Sequence, residues 1–551
     1  MFVKLEGGSV YDPVHGINGE QRDIYVSNGK ITRKPPPHAR IDKTYDVKGK
    51  IIMAGAIDIH THIGGGKVNI ARMMLPEDHQ NDLIRKTSRT RAGCGHAAPS
   101  TMATGYRYAE MGYTACFEPA MLPANARQAH MEMADIPIVD KGAYALVGND
   151  DFFLRMLAAK KDQAAISDYV GWIMNASQAM AIKVVNPGGI NAFKYNQRRL
   201  NLDEANSKYN VTPRAILKAL ARAVRELGIP HPLHVHGCNL GVPGNMQTTL
   251  DTIRASEGMP LHLTHIQFHS YGNEGPRKFS SGAARIAEAI NGNPNISVDI
   301  GQVLFGQTVT ASGDTMLQYA GHWHAHPKKW VVMDIECDAG CGVIPFKYRD
   351  KSFVNALQWA IGLELFLLVN DPWRVFLTTD HPNGAPFTSY PHLIRLLMDR
   401  TFRNEMLATI NKHAALASTL GSIQREYSLY EIAIMTRAAP ARSLGLKNRG
   451  HLGAGAVADI TVYNEFRNKE HMFAKPVYVF KDGELVARDG KIVKSTKGST
   501  HVLRPEYDKT LERSLQDYFD KYHSVKMDNF KISDDEITEL GKGNIIVQPC
   551  Q

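Results

Sequence analysis

The sequence predicts an α/β protein in which a (β/α)8 barrel of the TIM type carries a small composite β-sandwich built from both ends of the chain. Two observations predict this fold. Short apolar runs alternate with helical stretches through the middle of the chain, and β-rich segments with tight-turn signals stand at both ends. The eight runs are, in order, IIMAGAIDIHTHI, ACFEPAM, AYALVGN, AMAIKVVNPGG, PLHVHG, LHLTHIQ, NISVDIGQ and VFLTTDHP.

The two ends of the chain have a different sequence pattern from the middle, with short β-type segments separated by tight turns. The segment DIYVSNGKITRK has an Asn-Gly turn between two alternating stretches, which is a strong hairpin signal. Asp-Gly turns and β-branched residues return in 450–464 and 476–495. We therefore expect four regions: one part of the β-sandwich at 1–54, the barrel with insertions at 55–440, the other part of the sandwich at 441–500, and an extension at 501–551.

Composition and charge restrict the classes of function. The chain has 551 residues, of which 22% are charged, a net charge of +9 and a pI near 9.0. Because the basic residues are scattered among acidic ones, we expect an acidic small molecule or partner and no nucleic acid. Neither a signal peptide nor a spanning apolar run is evident, so we expect no membrane insertion. Six cysteines without disulfide or cluster spacing favour a cytoplasmic protein.

Polar side chains stand where several apolar runs end. His60 and His62 close the first run, Lys183 lies in the fourth, and Asp380 closes the eighth. The fifth and sixth runs carry two histidines each. The carboxyl ends of barrel strands meet at one face, so these side chains should surround the mouth of the barrel. Imidazoles and carboxylates are the ligands of zinc and similar ions, which predicts a metal site.

Spacing leaves a choice open in the two runs with paired histidines. His234 and His236 point to the same side of a strand, so spacing does not separate them. His262 and His265 lie three residues apart and should point to opposite sides. His236 and His265 lie nearer the ends of their strands.

Lys183 raises a separate question. A buried ammonium is costly unless it is paired or neutralised. A salt bridge is one solution. Reaction of the amine with carbon dioxide is another, because the resulting carbamate is negatively charged and can bridge two metal ions.

These residues, in this order, resemble the binuclear branch of the amidohydrolase superfamily, in which the lysine is carboxylated and terminal β-sandwiches are usual. Four segments look more narrowly like the A subunits of formylmethanofuran dehydrogenases, and the resemblance spans most of residues 1–500. The segments are DIHTHIGGGKVNIARMMLPEDH, HVHGCNLGVPGN, THIQFHSYG and TTDHPNGAPFTSYP. Residues 501–551 carry no motif that we can place.

The resemblance implies a set of roles at the matching positions. Two divalent ions, expected to be zinc, would be bound by His60 and His62 on one side and by His236 and His265 on the other. Carboxylated Lys183 would bridge them. Asp380 would bind the first ion and act as the general base. Apart from the resemblance, two interpretations stay open for His234, His262, His269 and His381: each orients a metal ligand, or is merely packed or solvated.

The resemblance also implies an activity and partners. The activity is hydrolysis of the N-formyl amide of formylmethanofuran to formate and methanofuran, in one-carbon metabolism. The substrate would carry an acidic tail, and the partners would be other subunits of a bacterial formyltransferase/hydrolase complex or of an archaeal dehydrogenase complex; we favour the bacterial setting. The alternatives are a dihydropyrimidinase-like cyclic amide or N-acyl hydrolase, and a non-catalytic scaffold protein.

Two further segments invite functional interpretations. The stretch 322–346 contains three alternating histidines with Cys337 and Cys341, but a second cysteine pair for a structural zinc site is absent. We expect a lid or a docking hairpin there, after the seventh strand. Arg72 is a candidate for contacting substrate or for an ion pair with Glu77 or Asp78.

Overall fold

The computed structural model describes residues 2–80, 82–194, 199–312, 321–335, 339–541 and 543–551. At its centre, eight parallel strands follow one another in chain order around a curled sheet. A parallel bridge between Thr61 and His381 joins the segments that follow the first and last strands. The predicted (β/α)8 architecture is thus confirmed. The strands are β1 (Ala56–Asp58), β2 (Tyr113–Met121), β3 (Asp140–Leu146), β4 (Ala181–Val185), β5 (Leu233–His236), β6 (Leu261–Leu263), β7 (Ile296–Asp299) and β8 (Val375–Phe376).

Helices connect these strands and bury one face against the sheet. The helix Pro213–Glu226 shows why the sequence folds this way. Thr212 caps it by accepting a hydrogen bond from the backbone N–H of Ala215 at 3.2 Å, and proline occupies the first helical turn. Its leucine and isoleucine side chains recur at helical spacing on the buried side.

The α-helices of the described residues vary from short turns to a 16-residue helix before β8. Their bounds are Gly66–Met74, Thr101–Glu110, Ala126–Ala134, Asp151–Ala158, Gln163–Ser177, Gly189–Lys194, Pro213–Glu226, Met246–Ala255, Ala283–Gly292, Phe353–Leu368, Tyr390–Met398, Arg400–Thr409, Lys412–Leu416, Leu429–Ala433, Ala439–Ser443, Lys469–Ala474, Leu511–Tyr522, Met527–Phe530 and Asp534–Gly541. Within the described residues, no helix has both the length and the apolar character needed to cross a bilayer.

A second sheet combines both ends of the chain. It has nine strands, and one of them, Lys43–Asp46, pairs with the strand Phe2–Asp12. The other eight, in spatial order, are Lys491–Ile492, Glu484–Arg488, Tyr478–Lys481, Ile460–Asn464, Lys50–Ala54, Phe2–Asp12, Ile17–Ser27 and Lys30–Thr32. A separate apolar core lies against it, with residues from 3–54 and 452–480.

The first apolar run is not one strand, which corrects the sequence interpretation. Residues 50–54 belong to the terminal sheet and 56–58 to the barrel. The chain changes sheet at Gly55, whose N–H donates to the Asp459 carbonyl at 2.8 Å. A Cβ at Gly55 would lie 2.2 Å from Thr114 Oγ1, so only glycine permits this close crossing.

The segment between β7 and β8 forms a small antiparallel sheet from Gly306–Ser312, Ala339–Tyr348 and Val331–Ile335. Val309 and Val343 pack against the helix Gly66–Met74 and its surroundings. Ala311 N–H donates to Asn383 Oδ1 at 2.7 Å, which attaches this sheet to the loop after Asp380. Cys337 lies outside the described residues, so the metal interpretation of 322–346 stays untested.

The C-terminal extension adds to the barrel sheet. Thr500–Leu503 runs parallel to β3, and Ile545–Gln548 runs parallel to Thr500–Leu503. Between these strands, the helix Leu511–Tyr522 packs near the helix Gln163–Ser177, where Trp172 contacts Phe519. The extension is therefore an integral part of the barrel exterior.

A buried charge cluster joins the barrel, the terminal sheet and the extension. Asp140 lies 2.6 Å from Arg449 and 3.3 Å from Lys481 Nζ. Lys481 also lies 3.3 Å from Asp459, and His501 lies 3.2 Å from Asp140. Burial alone would raise the pKa of Asp140, but Lys481 and Arg449 hold it well below its usual range.

We expect Lys481→Met to lower the free energy of unfolding by about 3 kcal/mol, because it removes one of the two buried cations, Lys481 and Arg449, that neutralise the Asp140 and Asp459 carboxylates. Urea unfolding of the full chain measures this loss. Lys494→Met is the matched control, since Lys494 and Glu484 form an ion pair in which both side chains are about half exposed, 52% and 54%. Equal losses in the two variants would contradict a structural role for the buried cluster.

Candidate metal centre

The first cluster of candidate ligands lies where β1 and β8 end. His60 Nε2 lies 2.9 Å from Asp380 Oδ1, and His62 Nε2 lies 3.2 Å from the same oxygen. One atom from each of the three side chains falls within 4.8 Å of the others. The structure thus brings the neighbouring His60 and His62 together with Asp380, which lies more than three hundred positions further along the chain.

Local contacts explain how the chain presents this cluster. Asp58, the last residue of β1, accepts hydrogen bonds from the backbone N–H of His60 at 3.0 Å and from Tyr108 OH at 2.7 Å. His62 N–H donates to the His381 carbonyl at 2.8 Å, which ties the end of β1 to the end of β8. Asp380 has a left-handed φ of 51° that turns its side chain out of the strand direction.

The second cluster lies where β5 and β6 end. The rings of His236 and His265 are 4.5 Å apart at nearly right angles, and His269 approaches both. One nitrogen from each of the three rings falls within 4.8 Å of the others. The ring of His265 is 5.5 Å from that of His60, so the two clusters are adjacent.

His234 and His262 occupy the barrel interior beneath these clusters. His234 Nε2 lies 3.0 Å from His60 Nδ1, and His262 Nε2 lies 3.0 Å from Asp299 Oδ2. His60 and His262 therefore both reach the Asp299 carboxylate, the former at 3.3 Å. The structure thus places His234 directly against His60, with His262 stacked on His234, whereas His236 and His265 lie together at the strand ends.

Asp299 is a site residue that the sequence interpretation missed. It also accepts hydrogen bonds from His265 N–H at 2.9 Å and from Thr378 Oγ1 at 2.7 Å. Asp299 is the last residue of β7, and a carboxylate at the end of the seventh apolar run was the available signal.

Lys183 lies in β4, paired in register with His234 of β5. It is fully buried, and its amine has no hydrogen-bonding or ion-pairing partner among the described residues. Burial lowers the pKa of the Lys183 amine to about 7, while the nearby carboxylates of Asp299 and Asp380 oppose this shift. A salt bridge, the simplest explanation for Lys183, is therefore not what the structure contains within its described part.

Glu118 and Lys67 are two further charged residues at the centre that sequence reasoning missed. Glu118, on β2, accepts a hydrogen bond from His62 Nδ1 at 2.9 Å and lies 3.1 Å from Lys67 Nζ. It also accepts from Ile63 N–H at 2.8 Å. Burial would raise the pKa of Glu118, but Lys67 and His62 hold it well below its usual range. Glu118 therefore fixes the orientation of the His62 ring as a carboxylate.

Three of the ligand side chains are in the protonation states that a cation requires. Burial lowers the pKa of His236 and of His265 well below the ordinary value, so both rings are neutral at pH 7. Burial would raise the pKa of Asp380, but its histidine neighbours, among them the hydrogen-bonded His60 and His62, keep that pKa well below its usual range. Neutral imidazoles beside an ionised carboxylate are a set that divalent ions prefer.

Buried polar atoms at the centre lack partners in a way that a bound cation would explain. His236 Nε2, His265 Nδ1 and His269 Nε2 have no hydrogen-bonding partner among the described residues. Buried polar groups are normally satisfied, so three unsatisfied nitrogens in one place point to an absent ligand. The residues present therefore fit a metal site.

Arg72 and His381 have structural contacts in the described chain. Arg72 lies 3.1 Å from Glu132 and donates to two backbone carbonyls, so the expected ion pair with Glu77 or Asp78 is wrong. Glu77 instead pairs with Lys329 of the 306–348 segment at 2.7 Å. His381 Nδ1 accepts a hydrogen bond from Phe387 N–H at 3.2 Å, which stabilises the turn after β8.

Comparison with known proteins agrees with this geometry. The model of the family described as "Amidohydrolase family" matches residues 43–492. The chain belongs to the amidohydrolase family. Amidohydrolases generally depend on metal ions, and the histidine and aspartate clusters described above are where this amidohydrolase could hold them.

Two relatives match this amidohydrolase along nearly its whole length. The A component of the formyltransferase/hydrolase complex Fhc of Methylorubrum extorquens is 40% identical over 539 residues, covering 97% of each chain. "Protein FwdA" of Methanocaldococcus jannaschii is 40% identical over 554 residues, covering 96% of each. A chain from the X-ray crystal structure of the FhcABCD complex of Methylorubrum extorquens with methylofuran superposes with a TM-score of 0.94, 40% identity and complete coverage of both chains.

We expect Glu118→Gln to weaken divalent metal binding about 10- to 100-fold, because the His62 ring loses its ionised partner. Competition with a chromophoric chelator measures the affinity. Glu364→Gln is the control, since Glu364 is an equally buried carboxylate that accepts hydrogen bonds from Ser281 and Thr419. Unchanged affinity in Glu118→Gln would show that Glu118 does not act through His62.

We expect Gly301→Ala to disrupt both clusters, because the added Cβ would lie 2.4 Å from His265 Cβ and 3.4 Å from Asp380 Cβ. Metal affinity should fall at least about tenfold, as for the loss of an orienting partner. Gly49→Ala is a matched control: φ is 69° there and 64° at Gly301, but nothing lies within 4 Å of its added Cβ. A similar loss in both variants would attribute the effect to backbone strain alone.

Proposed function

We propose that this amidohydrolase hydrolyses the N-formyl amide of a formylmethanofuran-type substrate, releasing formate and the free amine, as the A component of a formyltransferase/hydrolase complex. One observation carries the proposal: two clusters of candidate metal ligands lie side by side at the mouth of the barrel. One of them contains the ionised Asp380, and burial lowers the pKa of nearby Lys183 to about 7. The relative named for such a complex matches at 40% identity over 97% of the chain.

The ligand assignment follows the clusters. His60, His62 and Asp380 would hold one divalent ion, and His236 and His265 a second, with carboxylated Lys183 between them. Zinc suits a site of imidazoles and carboxylates. When bound, the ions would polarise the formyl carbonyl and lower the pKa of the attacking water towards neutrality.

Asp380 would act as the proton carrier. Its carboxylate is ionised, so it can accept a proton from the attacking water. The same proton is then available to the nitrogen of the breaking amide bond, so that the amine leaves without a negative charge. Asp380 lies between His60 and His62, which position the carboxylate at the end of β8.

Lys183 would enter the site as a carbamate. Its amine is buried and has a pKa of about 7, so a large fraction is unprotonated near neutral pH and can attack carbon dioxide. The carbamate would place a negative charge among the histidines and would remove the cost of a buried ammonium.

The net charge of +9 suits an acidic substrate. Steering by that charge would raise the rate of capture of an anionic tail and would weaken in high salt. The bacterial and archaeal relatives are equally identical, at 40%, and a chain of the bacterial complex superposes with a TM-score of 0.94. We therefore propose the bacterial type of assembly, with its partner subunits.

We expect Asp380→Asn to reduce formate release from formylmethanofuran by about 10²- to 10⁴-fold, the usual contribution of a general base. Metal content is measured on the same samples to separate lost chemistry from lost metal. His392→Gln is the control, since His392 pairs with Glu470 on the barrel exterior. Hydrolysis of a dihydropyrimidine instead of the formamide by the parent would favour the cyclic amide alternative.

We expect reactivation of metal-free protein by zinc to require carbon dioxide and to quicken as pH rises through about 7. Only the unprotonated Lys183 amine reacts, and its pKa of about 7 sets the inflection. The rate is followed at fixed dissolved carbon dioxide, with a carbon dioxide-free arm as control. Reactivation that ignores carbon dioxide, or that inflects near the ordinary lysine pKa of about 10.4, would contradict the carbamate.

A further inference from the structure

The second histidine cluster contains one more imidazole than the proposed function uses. His236 and His265 are assigned to the second ion, whereas His269 has no role so far. Its side chain is as buried as theirs, with 3% of its surface exposed. One of its nitrogens lies within 4.8 Å of a nitrogen from each of the other two rings.

Several hydrogen bonds fix the backbone around His269. His265 has a left-handed φ of 36°, which turns the chain into the short helix Ile266–His269 directly after β6. Asn245 donates to the Phe268 carbonyl at 2.8 Å and accepts from Tyr271 N–H at 3.0 Å. Thr249 donates to the His269 carbonyl at 2.6 Å. These contacts hold His269 beside His265.

The rings are arranged so that their nitrogens face a common space. His265 and His269 are nearly parallel, 5.4 Å apart, and the His236 ring is roughly perpendicular to both. His236 Nε2, His265 Nδ1 and His269 Nε2 are all buried without a hydrogen-bonding partner among the described residues.

We propose that His269 is a third imidazole ligand, with His236 and His265, of the divalent ion at the ends of β5 and β6. Imidazoles are common zinc ligands in proteins, and the carbamate proposed for Lys183 would add a fourth protein ligand to the same ion. This inference rests on the proposed function only in requiring a metal ion at this centre.

The test uses the full-length chain with the subunits that purify with it, stripped of metal and titrated with Co²⁺. The parent is compared with His269→Ala and with His130→Ala, a control at another buried histidine, which bonds the Ser177 carbonyl outside both clusters. We expect two equivalents of Co²⁺ in the parent and in the control. In His269→Ala, one equivalent should bind at least about tenfold more weakly, with a changed visible absorption spectrum, and the other should bind as in the parent.

A second variant keeps the proposal testable if His269→Ala does not fold. His269→Cys offers a thiolate, which on a coordinating position gives an intense near-ultraviolet charge-transfer band with Co²⁺. Parent-like affinities and spectrum in His269→Ala, or the absence of that band in a folded His269→Cys that binds two ions, would overturn the ligand role. Failure of the parent itself to bind Co²⁺ would instead overturn the proposed metal-dependent function.

Discussion

The candidate metal centre depends on one buried carboxylate, that of Asp299. Its Oδ2 lies 3.3 Å from the His60 ring and 3.0 Å from the His262 ring, and its Oδ1 accepts a hydrogen bond from the His265 backbone N–H. This single carboxylate therefore fixes the position of the first histidine cluster relative to the second. Burial would raise the pKa of Asp299, but His60 and His262 keep it well below its usual range, so the carboxylate stays ionised. A fixed negative charge beneath the imidazoles orients them for an ion.

Around this carboxylate, the barrel interior is polar where most barrels of this kind are filled by branched apolar side chains. His234 continues the hydrogen-bonding chain from His60 to His231, and His231 reaches Ser443 on the far side. Each ring is satisfied by the next, which explains how several histidines can be buried without a net cost in unpaired groups. The unsatisfied imidazole nitrogens of the second cluster lie instead at the strand ends, where a cation would bind.

Sequence could predict much of this arrangement because barrel chemistry is confined to strand ends. His60, His62, Lys183 and Asp380 all stand at or near such ends, and the alternation of apolar runs located them. Residue spacing could not predict contacts between side chains of different strands. The hydrogen bond between Glu118 and His62, for example, depends on which strands are neighbours and on how the chain turns after them. The sequence could not predict the division of the first run at Gly55 for a similar reason, because an apolar run does not indicate which of two sheets each part of it joins.

Anomalous diffraction at the zinc edge, from crystals of an active preparation, tests the central claim most directly. The account predicts two peaks at the barrel mouth, one among His60, His62 and Asp380 and one beside His236 and His265, with density extending from Lys183 Nζ between them. An active preparation whose crystals show no anomalous peak between these side chains would contradict the account and would move the hydrolytic chemistry elsewhere.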